Sequence, residues 1–238
     1  ATMKHSINPL FKIITTILAT LIFSSTLSYA AQGDLDTSFG TGGVATTIFG
    51  TEHRANAVAV QPNGKIVASG YTFDGTGFDF MVVRYLANGD PDLSFGNTGI
   101  VTTHIGLIDC CADRAEELAI QPDGKILVFG GNSNQSGNFT LIRYNSDGSL
   151  DTSFGDTVVI SGGEGTPVIT EGTGLVNIDI QDIDEGSASS LEEPHGMALQ
   201  ADGKIVMTGL TRLSKDQIAV ARVNSDGSLD TNFDSNGV

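Results

Sequence analysis

A six-residue phrase, Gln61-Pro62-Asn63-Gly64-Lys65-Ile66, returns as Gln121-Pro122-Asp123-Gly124-Lys125-Ile126 and as Gln200-Ala201-Asp202-Gly203-Lys204-Ile205. A chain that repeats itself at such intervals folds as a row of like units, each burying its apolar faces against its neighbours. A second phrase brackets the first: Leu35-Asp36-Thr37-Ser38-Phe39-Gly40 recurs at Pro91 to Gly96, at Leu150 to Gly155 and, altered, at Leu229 to Asp234. From each Gln to the next Phe the distance is 34, 33 and 33 residues, whereas from each Phe to the next Gln it is 22, 26 and 46. A fixed core therefore alternates with a segment that tolerates insertion. On this basis the units run over about 33–89, 90–148 and 149–227, the third with an acidic insertion near 156–193, and a partial unit fills 228–238.

Each unit contains four short apolar runs separated by turn residues, which in the first unit are 43–47, 55–61, 65–69 and 80–86 and in the second 99–103, 116–121, 125–129 and 139–144. Asn63-Gly64, Asp123-Gly124 and Asp202-Gly203 stand between the second and third runs, where such pairs supply the positive φ of a tight hairpin. Val58-Ala59-Val60 and Leu118-Ala119-Ile120 are apolar at consecutive positions, so these strands are covered on both faces, as in stacked sheets. The expected fold is all-β, a β-propeller-like tandem of four-stranded blades with three full units and a partial fourth. A β-solenoid is the runner-up, with shorter and more uniform turns. Closed propellers need about four to eight blades, so the ring is expected to stay open, leaving Val58, Val60 and Val82 exposed at one end.

The Leu-Asp-Thr-Ser-Phe-Gly and Gln-Pro-Asp-Gly-Lys-Ile phrases, joined by Phe139-Thr140-Leu141-Ile142-Arg143-Tyr144-Asn145-Ser146-Asp147-Gly148, resemble the delta-60 repeats of bacterial exported proteins. That resemblance spans nearly all of residues 33–238 and implies a propeller-like fold in a secreted or surface protein. It implies no established activity and no catalytic residues. The departures are the third-unit insertion, Pro91 in place of Leu and Asp234 in place of Gly.

Residues 1–30 read as a secretory signal: Lys4 and Lys12, an uncharged run over 13–23, then Ser28-Tyr29-Ala30 before a cut ahead of Ala31, with Ala1-Thr2 preceding the natural start. The repeat domain is then 31–238, expected in the periplasm, at the cell surface or secreted, with no membrane span after cleavage. All 28 acidic residues fall after the signal, against ten of the 12 Lys and Arg. Such a field repels nucleic acid and favours cations, basic proteins or neutral ligands such as glycans. An unidentified protein or glycan is the expected partner, and further blades of a longer chain are expected to follow.

Six basic residues are locked to the repeat: Lys65, Lys125 and Lys204 after the hairpin turn, and Arg84, Arg143 and Arg222 at the end of the fourth run. Asp36, Asp92, Asp151 and Asp230 recur with them. An Arg fork on a recurring Asp would fix blade edges in every copy, so these are read as structural positions. No catalytic constellation links His53, His104 and His195, which read as ordinary loop residues, and adjacent Cys110-Cys111 suggest free thiols, a strained ring or links to another chain. Twelve acidic residues fall between Asp147 and Asp202, a stretch whose residues 145–200 lack Lys and Arg. Within it, 166–170 and 175–180 read as an inserted hairpin, and Asp179, Asp182, Asp184 and Glu185 as the one candidate cation site, for calcium. No cofactor is otherwise expected. The sequence reading is a non-catalytic exported binding or surface-structural protein, with two alternatives: a fragment of a propeller-based hydrolase or lyase, and a calcium-stabilised adhesion module.

Overall fold

The computed structural model describes residues 33–105, 113–132, 138–155, 157–160, 173–180, 191–212 and 216–233. The described residues form strands and turns without helices, in three sheets. The first sheet comprises β1 (Glu52–Val60), β2 (Ile66–Phe73), β3 (Phe78–Tyr85) and β4 (Ile100–Thr103), antiparallel and in chain order. The second holds β5 (Arg114–Ile120), β6 (Ile126–Asn132), β7 (Asn138–Tyr144), β8 (Thr157–Ile160) and β9 (Leu175–Ile180). Its spatial order is β5-β6-β7-β9-β8, with β8 parallel to β9. The third has β10 (Leu191–Leu199), β11 (Ile205–Arg212) and β12 (Asp216–Val223).

The sheets are offset from the sequence units by one strand. The run at 99–103, first in its sequence unit, is β4 and completes the preceding blade by pairing with β3. The corresponding run at 43–47 forms only isolated bridges around Val44, because no β3-type strand precedes it among the described residues. The same offset corrects the inserted hairpin. Leu175–Ile180 is the fourth strand of the second blade, with Leu175 opposite Ile142 as Ile100 is opposite Val83. Residues 166–170 lie outside the described residues. Among the described residues the blades hold four, five and three strands rather than four each. The hairpin turns also differ from a two-residue loop: only the glycines take positive φ (81°, 85° and 85° at Gly64, Gly124 and Gly203). Gln61 N–H donates to the Lys65 carbonyl at 2.8 Å, and the Asn63 side chain accepts from the Lys65 amide.

The blades stack face to face in an arc that does not close. Val67, Phe80, Val82 and Phe95 of the first pack on Leu118, Ile126, Val128, Ile142 and Tyr144 of the second. Leu127, Phe129, Phe139, Leu141, Val176 and Ile178 then pack on Ile205, Met207, Ala219, Ala221 and Val223 of the third. Alternate residues of each blade thus face opposite neighbours, which explains the consecutive apolar positions. β5 packs against β1 on one side and β10 on the other, so these strands form the hub of the arc. On the end faces Val58, Val60 and Ile218 are exposed. Val82 is fully buried, contrary to the sequence expectation, because its register on β3 turns it toward the second blade.

One ion cluster recurs in all three blades. Asp92 Oδ2 accepts from Lys65 Nζ at 2.8 Å and Arg84 Nε at 2.6 Å; Asp151 Oδ2 from Lys125 and Arg143, both at 2.7 Å; Asp230 Oδ2 from Lys204 and Arg222, both at 2.7 Å. Their other oxygens hold the following turn, through Ser94, Ser153 and the Asn232 amide. Each guanidinium lies over the Phe of its own turn, 4.6, 4.1 and 4.5 Å from the rings of Phe95, Phe154 and Phe233. The Arg also reaches across the blade boundary. Arg84 Nη1 donates to the Ser146 carbonyl, and Arg143 Nη1 to the Ser225 carbonyl at 2.6 Å. Beside these bonds, the amides of Gly96 and Gly155 donate to the carbonyls of Asp147 and Asp226, both at 2.9 Å. Asp36, at the start of the described residues, is exposed, and its Oδ1 accepts from the Ser38 amide and hydroxyl.

The Arg143 side chain is 8% exposed and Arg222 22%, since no further blade covers the latter among the described residues. Arg143→Ala should therefore lower the unfolding free energy by roughly 3 kcal/mol, the scale for breaking a buried ion pair. Arg222→Ala should cost only about 1 kcal/mol, the scale of one partly exposed hydrogen bond. Equal losses in urea titration would contradict the cross-blade role.

Burial alone would raise the carboxyls of Asp92 and Asp151, but hydrogen bonds from Lys65 and Ser94, and from Lys125 and Ser153, together with the arginines, hold them well below the usual range. Groups with depressed folded pKa contribute stability that is complete above their unfolded pKa, about 3.9, and lost as pH falls toward the folded value. Acid unfolding followed by circular dichroism should shift to higher pH in Asp151→Asn, which lacks this term; coincident acid curves would refute the assignment.

Candidate functional site

The two ends of the arc differ in kind. Lys65, Arg84 and Asp92 and their counterparts gather where β1 turns into β2 and β3 ends. The opposite rim is formed by the first residues of β1, β5 and β10. There every blade has a β-bulge at the same place, between Ala55 and Ala57, Ala115 and Glu117, and Pro194 and Gly196. The extra residues are Asn56, Glu116 and His195, each five positions before the Gln of the repeated phrase.

A glycine on the adjacent strand makes each bulge possible. A Cβ on Gly70, Gly130 or Gly209 would lie 1.8, 1.9 or 2.1 Å from the carbonyl oxygen of Arg54, Arg114 or Glu193, so the backbone of the bulged strand occupies that volume. A bulge leaves its extra residue unpaired and re-aims its side chain. Because β1, β5 and β10 are neighbours at the hub, the re-aimed side chains converge. Asn56 Nδ2 donates to the Ala115 carbonyl at 2.8 Å and to Glu116 Oε2 at 3.1 Å. Burial pushes the Glu116 carboxyl up, opposed by the charges of Arg114, Arg54 and His195 and reinforced by Glu117. Arg114 is fixed by the rings of Tyr71 and Phe78, each 5.1 Å from its guanidinium. The rim therefore offers an amide, a carboxyl, an imidazole and two guanidinium groups beside aromatic rings, a mixed donor and acceptor surface rather than a uniform charge.

All six repeat-locked cations, with Asp92, Asp151 and Asp230, sit in the ion clusters at the far end, away from this rim. Asp179 lies in β9, its side chain outside the described residues, as are Asp182, Asp184, Glu185 and the Cys110-Cys111 pair. The reading of the histidines as loop residues needs correction at His53 and His195, which lie on β1 and β10. His195 takes the bulge position held by Asn56 and Glu116, and His104, in the loop after β4, has its Nδ1 in a hydrogen bond with Asp79 Oδ1 at 2.8 Å. His53 is exposed. The rim was missed although a signal existed: glycine recurs nine positions after each anchoring Gln, inside a strand, where it marks a bulge or a close backbone approach.

The fold and its repeated architecture define an open arc of propeller blades. A family model described as "Domain of unknown function (DUF5122) beta-propeller" matches the chain three times, over residues 61–95, 121–154 and 200–233. The chain thus contains three β-propeller repeats, and each match runs from the Gln of the hairpin turn to the Phe under the arginine. No curated protein gives a significant match.

Gly130→Ala tests the bulge. It should lower stability by about 2 kcal/mol, the usual scale for forcing extra volume into a packed site. An unchanged urea midpoint would show that β5 does not need the glycine.

Proposed function

We propose that this chain is the propeller portion of an exported, non-catalytic binding protein whose inner-strand rim takes up a glycan. The observation that carries the reading is the bulge. Frame residues are the same type in each blade, with Lys, Arg and Asp in identical roles, while the re-aimed position changes from Asn56 to Glu116 to His195. A scaffold that holds geometry constant and varies a convergent polar side chain is suited to recognition. Mixed donors and acceptors beside aromatic rings match sugar hydroxyls and apolar sugar faces. The net charge of −16 disfavours polyanionic ligands. Export rests on the signal pattern in residues 1–30 and the lack of acidic residues there. No helix among the described residues is long and apolar enough to cross a membrane.

A second reading, hydrolase or lyase chemistry, draws on one observation: Glu116 has a raised carboxyl pKa and lies within electrostatic reach of His195. A neutral-glycan array probed with the labelled chain separates the two. Binding should weaken about tenfold or more in Asn56→Ala and Glu116→Gln, the scale for a lost buried hydrogen bond, with both variants still folded by circular dichroism. Release of sugar products by the wild type, abolished in Glu116→Gln, would replace binding with catalysis. Binding by neither wild type nor variants would overturn the glycan assignment, and a product secreted by a bacterial host that still carries residues 1–30 would overturn cleavage.

A further inference from the structure

On the same rim, but between the first and second blades, three side chains from separate segments meet. Asp79 is the second residue of β3, His104 follows the end of β4, and Asp113 immediately precedes β5. One carboxylate oxygen from each Asp and one imidazole nitrogen lie within 4.8 Å of one another. The Asp113 amide donates to the Phe78 carbonyl at 3.1 Å, which clips the start of the second blade to β3 beside Asp79. Asp113 is 0% exposed. Its Oδ2 accepts from the Ile105 amide at 3.0 Å, whereas Oδ1 is buried and has no hydrogen-bond partner among the described residues.

Two buried carboxylates side by side are costly in this state. A buried oxygen without a partner calls for a proton, a water or an ion. We propose that Asp79, His104 and Asp113 form a binding site for a borderline divalent metal ion of the zinc or manganese type, joining the first two blades. The charges balance: two carboxylates and a neutral imidazole offset one divalent ion. An imidazole with two carboxylates suits Zn²⁺ or Mn²⁺, whereas calcium requires six to eight oxygens. On binding, the ligating imidazole nitrogen gives its lone pair to the ion, any proton on it moving to the other ring nitrogen or to solvent, and the Ile105 amide holds Asp113 in place. The His104 side chain is 39% exposed, so the site can be reached from solvent. This site shares no residue with the bulge row and does not depend on the glycan reading.

The test is titration calorimetry of the chelator-treated full chain with Zn²⁺ alone and Mn²⁺ alone, paired with thermal melts. The wild type should bind a single ion of each and melt at higher temperature when loaded. His104→Ala, at a partly exposed position, should fold normally and lose about a hundredfold or more in affinity, at least the loss seen when a metal ligand's support is removed. Asp113→Asn should likewise lose binding, yet melt without metal no lower than the wild type, because the unpartnered buried charge is gone. Absence of binding, or binding unchanged in both variants, would overturn the site. So would Zn²⁺ binding that survives His104→Ala and disappears in Cys110→Ser/Cys111→Ser, since the ion would then be held elsewhere.

Discussion

Every blade depends on a guanidinium that serves two blades at once. Arg84 and Arg143 tie the Asp of their own turn, cover the Phe that follows it, and donate to a carbonyl in the turn of the next blade. A four-stranded sheet with apolar residues on both faces has no reason to remain alone in water, but apolar contact by itself does not set how far one sheet slides over the next. Directional hydrogen bonds do. The Arg, its Asp and the Gly96 or Gly155 amide fix the stagger, and the apolar clusters fill in at that setting. The Lys of the hairpin turn completes the charge balance, since one Asp between two cations is held ionised despite its burial.

With the frame fixed at one end of the blades, the opposite rim is released from repeating the same chemistry. Glycines at 70, 130 and 209 admit a bulge in each first strand, and packing of the first strands at the hub brings Asn56 and Glu116 into hydrogen bond, with His195 close enough to act on the Glu116 carboxyl. The Asp79, His104 and Asp113 group arises differently. It is absent from the repeat pattern, built where the strand that closes one blade leads into the strand that opens the next. The rim thus combines a repeated device, which varies one side chain per blade, with a group that among the described residues stands at the first blade boundary.

Much of this was legible in the chain. The repeated phrases define the unit, the Gly of each hairpin turn, and the identities of the Lys, Arg and Asp that form the clusters, because these follow from local turn geometry and from charge recurring at fixed spacing. Apolar runs locate strands within a few residues. They do not say which sheet a strand joins: the runs at 99–103 and 175–180 each carry the pattern of a strand that begins a unit or an insertion, and only pairing with β3 and β7 makes them the last strands of the preceding blades. The burial of Val82 has the same origin, since period-two alternation gives opposite faces without saying which face meets a neighbour.

The sequence by itself determined the unit, its turns and its ion pairs, all set by interactions within about thirty residues that recur in each copy. Only the tertiary structure decided the strand offset, the convergence of Asn56, Glu116 and His195, and the meeting of Asp79 with His104 and Asp113. The offset depends on which sheet a strand joins, and the meetings across blades on distances that follow from the stagger and fan of the blades around the hub; no single repeat encodes either.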